Sequence, residues 1–203
     1  MIRSLIFDLG RVIVPFDFRR GYARMSDRCG LPPEEIRARL VSDGLVHEFE
    51  CGRIDGHEFH RRVARLLESE VGFDEFREIW FSVFLPETLI PDSLLEVLHS
   101  RYRTVLLSNT NRLHFEMIRE RYPILRHFDA FVLSYEAGAM KPEPRIYEMA
   151  VKAAGCAPQE CFFTDDIPEY VEGALRMGID AVLFEGAAKL EQELRVRGVL
   201  PAQ

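Results

Sequence analysis

The sequence predicts an α/β protein: a doubly wound, Rossmann-like parallel sheet with a helical subdomain inserted after its first strand. Three observations carry this expectation. Five short runs rich in Val, Ile, Leu and Phe lack polar alternation, so they suit strands covered on both faces. Helical patterns separate the last four runs, and strand–helix alternation gives a parallel sheet with right-handed crossovers. The stretch from Phe7 to Thr104 is too long for one crossover and carries helical signals without a good strand.

The first predicted strand is Leu5 to Phe7. In the insertion, Asp55 followed by Glu58 has the spacing of a capping box, ahead of Phe59, Val63 and Leu66. Phe73, Phe76, Trp80 and Phe84 share a helical face and read as core of the insertion. The helical subdomain is therefore expected over residues 16–85, and the α/β core over 1–15 and 86–203. The later strands are expected at Thr104 to Leu107, Ala130 to Leu133, Cys161 to Phe163 and Ala181 to Phe184. Between them, Ile146, Met149, Ala150 and Ala153 predict a helix stopped by Gly155. Val171, Ala174 and Leu175 predict another, closed by Gly178.

The chain has 203 residues, and 26 basic against 33 acidic side chains give a net charge of −7. At roughly 150 residues per domain this is one domain with an insertion. A chain of this size buries about 70% of its surface and needs no disulfide or metal staple. The acid excess argues against a nucleic-acid partner, because phosphate backbones recruit basic faces. Four cysteines without a CxxC pair predict free thiols in a reducing compartment, and hence a cytoplasmic protein. The longest largely apolar run, Ile79 to Leu85, falls far short of the ~18 residues of a membrane span. The N-terminal apolar stretch meets Asp8 too soon for a secretory signal. No membrane partner is expected, and the chain is read as a monomer or homodimer.

Open α/β sheets bind ligands beyond the carboxyl ends of their strands. Polar residues at those ends are therefore the site candidates: Asp8; then Ser108 and Asn109; then Lys141; then Asp165 and Asp166. Three carboxylates brought together repel unless a cation joins them. Oxygen donors without His or Cys suit Mg²⁺, which favours few carboxylates, waters and a substrate phosphate.

These motifs, D-L-G-R-V-I-V, S-N-T-N-R-L-H, K-P-E-P-R-I-Y and F-F-T-D-D, resemble in order those of the haloacid dehalogenase-like hydrolases. The resemblance runs from Ile6 to about Leu183 and is closest to a bacterial subgroup that includes α-glucose-1-phosphate phosphatases. It implies a Mg²⁺-dependent phosphatase acting on a small phosphorylated metabolite, with residues 16–85 as a helical cap. Asp8 would be the nucleophile, forming an aspartyl-phosphate. Lys141 would neutralise Asp8 and the phosphate, while Ser108 and Asn109 bind phosphate oxygens at a helix start. Asp8, the Gly10 carbonyl and Asp166 would hold the metal, with Asp165 direct or through water. Arg11 and, in E-F-E-C-G-R-I, Glu50 with Glu48 and Arg53 are candidates for substrate contact.

One position departs from the family pattern. The second Asp that usually follows the nucleophile by two residues is Gly10 here. General acid–base help is worth about 10²- to 10⁴-fold, so its loss must be filled or felt. Asp17 and His114 are the candidates to replace it, or a water. The alternatives are a catalytically weakened phosphate-binding or regulatory module, and a metal-free dehalogenase using the same Asp8.

Overall fold

A computed structural model describes residues 1–201. It begins with β1 (Ser4–Phe7), which leads into the helical insertion: α1 (Phe18–Cys29), α2 (Pro33–Ser42), α3 (Leu45–Glu50), α4 (Gly56–Leu66) and α5 (Phe73–Phe81). The chain then returns through α6 (Asp92–His99), β2 (Arg103–Ser108), α7 (Arg112–Arg121) and β3 (Ala130–Leu133). It continues with α8 (Ser134–Ala137), α9 (Pro144–Ala154), β4 (Cys161–Asp165), α10 (Pro168–Arg176), β5 (Asp180–Leu183) and α11 (Ala187–Val196). The strands form one parallel sheet in the order β3-β2-β1-β4-β5.

Why the strands read as unbroken apolar runs is visible in the packing. Leu5 and Phe7 enter one buried cluster with Leu106 and Phe162. Ile6 enters another, on the opposite face, with Val105, Leu107 and Phe163. Both sheet faces are covered, which favours apolar side chains along the strands; the buried Ser4 and Thr104 donate to backbone carbonyls. The switch in strand order falls at β1, flanked by β2 and β4, and opens a crevice at their carboxyl ends.

The insertion has its own apolar cluster, built on Ile36, Leu45, Phe49, Phe59, Val63 and Phe76. Phe59 is fully buried, its ring 4.3 Å from Phe49 and 4.9 Å from Trp80. Asp55 caps α4 by accepting from the Glu58 N–H at 2.8 Å. The Glu58 side chain binds Arg61 instead of closing the box. The two chain crossings into the insertion run side by side, with Asp17 N–H donating to Val83 O and Leu85 N–H to Pro15 O.

Three predicted details shift. The Asp180–Leu183 strand starts and ends one residue early. In α9 the buried face is Ile146, Tyr147, Ala150 and Ala154, not one through Met149, which is 36% exposed. Tyr147 is fully buried, and its hydroxyl donates to Tyr170 O at 2.7 Å. Phe84 lies past the end of α5 and packs on Phe16 at the crossing, outside the core of the insertion.

Candidate active site

Parallel registration explains how residues far apart in sequence meet. Phe7 pairs with Leu106 on one side and Thr164 on the other. One residue further, Asp8 stands level with Leu107 and Asp165. Lys141 sits across all three. Its ammonium donates to Asp8 Oδ1 at 2.5 Å, to Asp165 Oδ2 at 2.5 Å and to Leu107 O at 3.3 Å. An ammonium has three hydrogens, so none is left over. All three acceptors are protein oxygens, and Lys141 also lines the cavity above them.

The backbone of Lys141 is held as firmly. Asn109 Oδ1 accepts from the Lys141 N–H at 2.8 Å, and Asn109 Nδ2 donates to the Lys141 carbonyl at 3.0 Å. The Lys141–Pro142 peptide is cis. The Asn109 amide is therefore a clamp on the Lys141 backbone, and Asn109 also lines the cavity. Nor does Ser108 or Asn109 cap the following helix; Asn111 does, accepting from His114 N–H. Ser108 is buried at the end of β2, and among the described residues its hydroxyl makes one long contact, 3.5 Å, to Asn109 O.

Asp165 and Asp166 are neighbours with opposite surroundings. Asp165 is fully buried, and both its oxygens are engaged, Oδ2 by Lys141 and Oδ1 by the Ile167 N–H at 2.9 Å. Asp166 is half-buried, faces the pocket and makes no side-chain hydrogen bond or ion pair among the described residues. Carboxylate oxygens of Asp8, Asp165 and Asp166 all lie within 4.8 Å of one another. Burial pushes the Asp8 carboxyl above the usual range; Lys141 pulls it down, and Asp165 adds to the rise. Burial, then Asp165, raises Asp166 as well. Burial would lower the Lys141 ammonium, but Asp8 and Asp165 outweigh it and hold the amine protonated.

Above this floor lies a cavity of about 220 Å³. Asp8, Gly10, Ser108, Asn109, Lys141 and Asp166 line it from the sheet side, and Arg11 from the rim. From the insertion only Glu50, of the three charged candidates in its segment, reaches the cavity. Glu48 instead pairs with Arg62 at 2.8 Å. Gly52 ends that turn with φ 69°, and a Cβ there would collide with the Tyr135 carbonyl, so the turn rests directly on α8.

The sequence reading missed Phe16, Phe84 and Tyr170 as lining residues, and Ser134 behind them. Ser134 is fully buried after β3 and fixes the loop beyond β2 by exchanging hydrogen bonds with Thr110 N–H and O, at 2.9 and 2.8 Å. The strand-end rule applied to β3 would have found it. The aromatic residues carry no such signal.

The haloacid dehalogenase-like hydrolase family matches residues 13–178, and the chain belongs to it. Among individual relatives, a D-ribitol-5-phosphate phosphatase of Bacteroides thetaiotaomicron is 29% identical over 97% of this chain and 98% of its own. A phosphatase of Mycobacterium tuberculosis is 28% identical over 91% of this chain and 88% of its own. Among solved structures, a haloacid dehalogenase-family enzyme from Bacteroides thetaiotaomicron in complex with magnesium superposes with a TM-score of 0.83. It is 27% identical and covers 96% of this chain and 98% of its own. The same enzyme has also been solved with magnesium and inorganic phosphate. Among the described residues, no helix is long and apolar enough to cross a membrane.

Proposed function

We propose that this chain is a Mg²⁺-dependent phosphatase that hydrolyses a small sugar or polyol phosphate through an aspartyl-phosphate at Asp8. The observation that carries the reading is the floor of the pocket. A buried ammonium bridges Asp8 and Asp165, and an unpaired Asp166 stands beside them. The phosphatase relatives and the magnesium and phosphate complexes support the same chemistry.

The donor set fits Mg²⁺. Three carboxylates face one ammonium, so the floor keeps an excess of negative charge, and the donors are oxygens without His or Cys. Asp8, Asp166 and the Gly10 carbonyl would hold the ion, while Asp165 accepts one hydrogen bond from Lys141 and one from the Ile167 N–H. When bound, the ion supplies positive charge that lowers repulsion between Asp8 and the incoming phosphoryl group.

The protein residues divide the remaining work. Lys141 opposes the rise that burial imposes on the Asp8 carboxyl, favouring its ionised form, and fixes one carboxylate oxygen, leaving the other to attack phosphorus. Its charge, a few ångströms from the reacting centre, stabilises the negative transition state without touching it. Asn109 holds Lys141 in place. Ser108, with its hydroxyl nearly uncommitted, donates to a phosphate oxygen, and Arg11 meets the substrate at the rim. The insertion acts as a cap that carries Glu50 over the site and excludes water. A metal-free attack on carbon would have no use for Asp166, which disfavours a dehalogenase.

Phosphate release from p-nitrophenyl phosphate, D-ribitol 5-phosphate and glucose 1-phosphate, with Mg²⁺ and with chelator, tests the reading. Activity is expected only with the metal, and Asp8→Asn should remove it by about 10³-fold or more. Turnover by Asp8→Asn at the wild-type rate rejects the nucleophile.

A further inference from the structure

We propose that Glu50, carried into the pocket by the helical insertion, is the general acid and base that Gly10 cannot supply. The proposal rests on the phosphatase reading above and adds a residue to it.

Position 10 is closed to a side chain. A Cβ on Gly10 would lie 2.7 Å from Phe16 Cε1. That ring is wedged by Phe18 at 4.9 Å and Phe84 at 6.1 Å, with the Arg11 guanidinium 5.0 Å from its centre. An aromatic wall thus occupies the space where the family's usual acid would stand.

The two replacements expected from sequence are both committed elsewhere. Asp17 caps α1, accepting from Arg19 N–H, and its carboxylate is gripped by the Arg19 guanidinium at 2.8 and 2.7 Å. That pairing holds it below the usual carboxylate range, and it does not line the cavity. His114 does line the cavity, but its ring lies stacked on Trp80, with Nε2 3.2 Å from Trp80 O and Nδ1 3.2 Å from Asn111 Nδ2. A carbonyl only accepts, so Nε2 carries the hydrogen and Nδ1 accepts from the amide. Burial drops its pKa to about 3, leaving a neutral ring with both nitrogens taken.

Among the remaining ionisable groups of the cavity, Asp8 is the nucleophile, Lys141 has no spare hydrogen and Asp166 belongs with the metal. Arg11 does not give up a proton at working pH. The Tyr170 phenol accepts from Asn109 Nδ2, and burial raises it further above neutrality. Glu50 is left. It is the last residue of α3, half-buried, facing the cavity, with no hydrogen bond or ion pair to its carboxyl among the described residues. The charged side chains of the helices packed around it turn elsewhere: Arg62 of α4 to Glu48, Arg39 of α2 to Glu35. His47 and Arg37 line the adjoining compartment that Glu50 also borders. Burial lifts its carboxyl to about 7, where both protonation states are populated at neutral pH.

The proton ledger closes. Asp8 attacks phosphorus and the ester P–O bond breaks, with its electron pair leaving on the alkoxide oxygen. Protonated Glu50 gives that oxygen its hydrogen, so the alcohol departs neutral and Glu50 becomes a carboxylate. It then takes a proton from a water whose oxygen attacks the aspartyl-phosphate. Asp8 and inorganic phosphate are released, and Glu50 is protonated again.

Leaving-group dependence tests this. An alkoxide needs a proton to leave, whereas p-nitrophenolate does not. In Glu50→Gln, kcat for D-ribitol 5-phosphate and glycerol 3-phosphate is expected to fall about 10²- to 10⁴-fold. The burst of p-nitrophenol from p-nitrophenyl phosphate should slow at least tenfold less, followed by a slow steady state as water attack loses its base. A p-nitrophenol burst slowed as much as alkyl-ester cleavage, or a loss confined to KM, would show Glu50 to be a binding or structural residue and overturn the proposal. A wild type inert toward all three esters overturns the phosphatase reading, and Glu50's role falls with it.

Discussion

On the sheet side of the pocket, Lys141, Asp8 and Asp165 are almost wholly withdrawn from water, and their polar atoms are matched to one another. On the helical side, Glu50 is half-buried and its carboxyl has no partner among the described residues. A buried ion pair holds its shape because separating it leaves a charge stranded in low dielectric. An unpaired carboxyl in a cleft has no such anchor, and its protonation state stays free to change near neutral pH. The floor is thus built to position atoms and the roof to exchange a proton. The two answer to mutation differently.

The largest effect is expected at the floor. Lys141→Met strands two buried carboxylates, so urea unfolding at pH 7 should show a loss of about 3–5 kcal/mol. Phosphatase turnover should vanish with it. A variant as stable as the wild type would mean that the floor is not held by this triad. Next comes the packing of the roof. Phe59→Ala removes a fully buried ring from the centre of the insertion and should cost about 3–5 kcal/mol locally. Hydrogen exchange should show α1 to α5 losing protection while β1, β2 and β4 keep theirs; uniform loss would make the two parts one cooperative unit.

A smaller effect is expected where floor and roof meet. Gly10→Asp forces a side chain against the Phe16 ring and should cost about 1–3 kcal/mol without raising activity. Measured in a Phe16→Ala background, that penalty should fall below about 0.5 kcal/mol; an unchanged penalty would locate the clash elsewhere. The smallest effect concerns Glu50 itself. Its carboxyl sits at about 7 in the folded chain against an ordinary 4.5. Between those values the folded state keeps a proton that the unfolded chain releases, so the wild type loses stability as pH rises through this window. Glutamine does not titrate. Glu50→Gln should match the wild type at pH 4 and exceed it by roughly 1–2 kcal/mol at pH 8, allowing for the half-exposed position. A stability difference that does not vary with pH would mean that Glu50 has a charged partner.

Most of the floor was legible in the sequence because its carboxylates and Ser108 each close an apolar run. Asp8, Ser108 and the pair Asp165–Asp166 can be placed on one edge once the strands are recognised. Lys141 came with them only through its motif, since it lies well beyond Leu133, the end of β3. What each side chain does there was less legible. That Asn109 clamps the Lys141 backbone and that Asp165 bonds both Lys141 and the Ile167 N–H had no signal in the sequence. Hydrogen-bond partners are chosen by three-dimensional neighbours, which strand ends do not specify.

The sequence alone determined the class of fold, the presence of a helical insertion and the convergence of one ammonium and three carboxylates. Period and register are local properties that fix which edge a residue reaches. Tertiary structure decided that position 10 is walled off by Phe16, that His114 is locked neutral, and that Glu50 alone of its segment faces the cavity. Those outcomes depend on how one helical unit is seated on another part of the chain, and no local pattern encodes that seating.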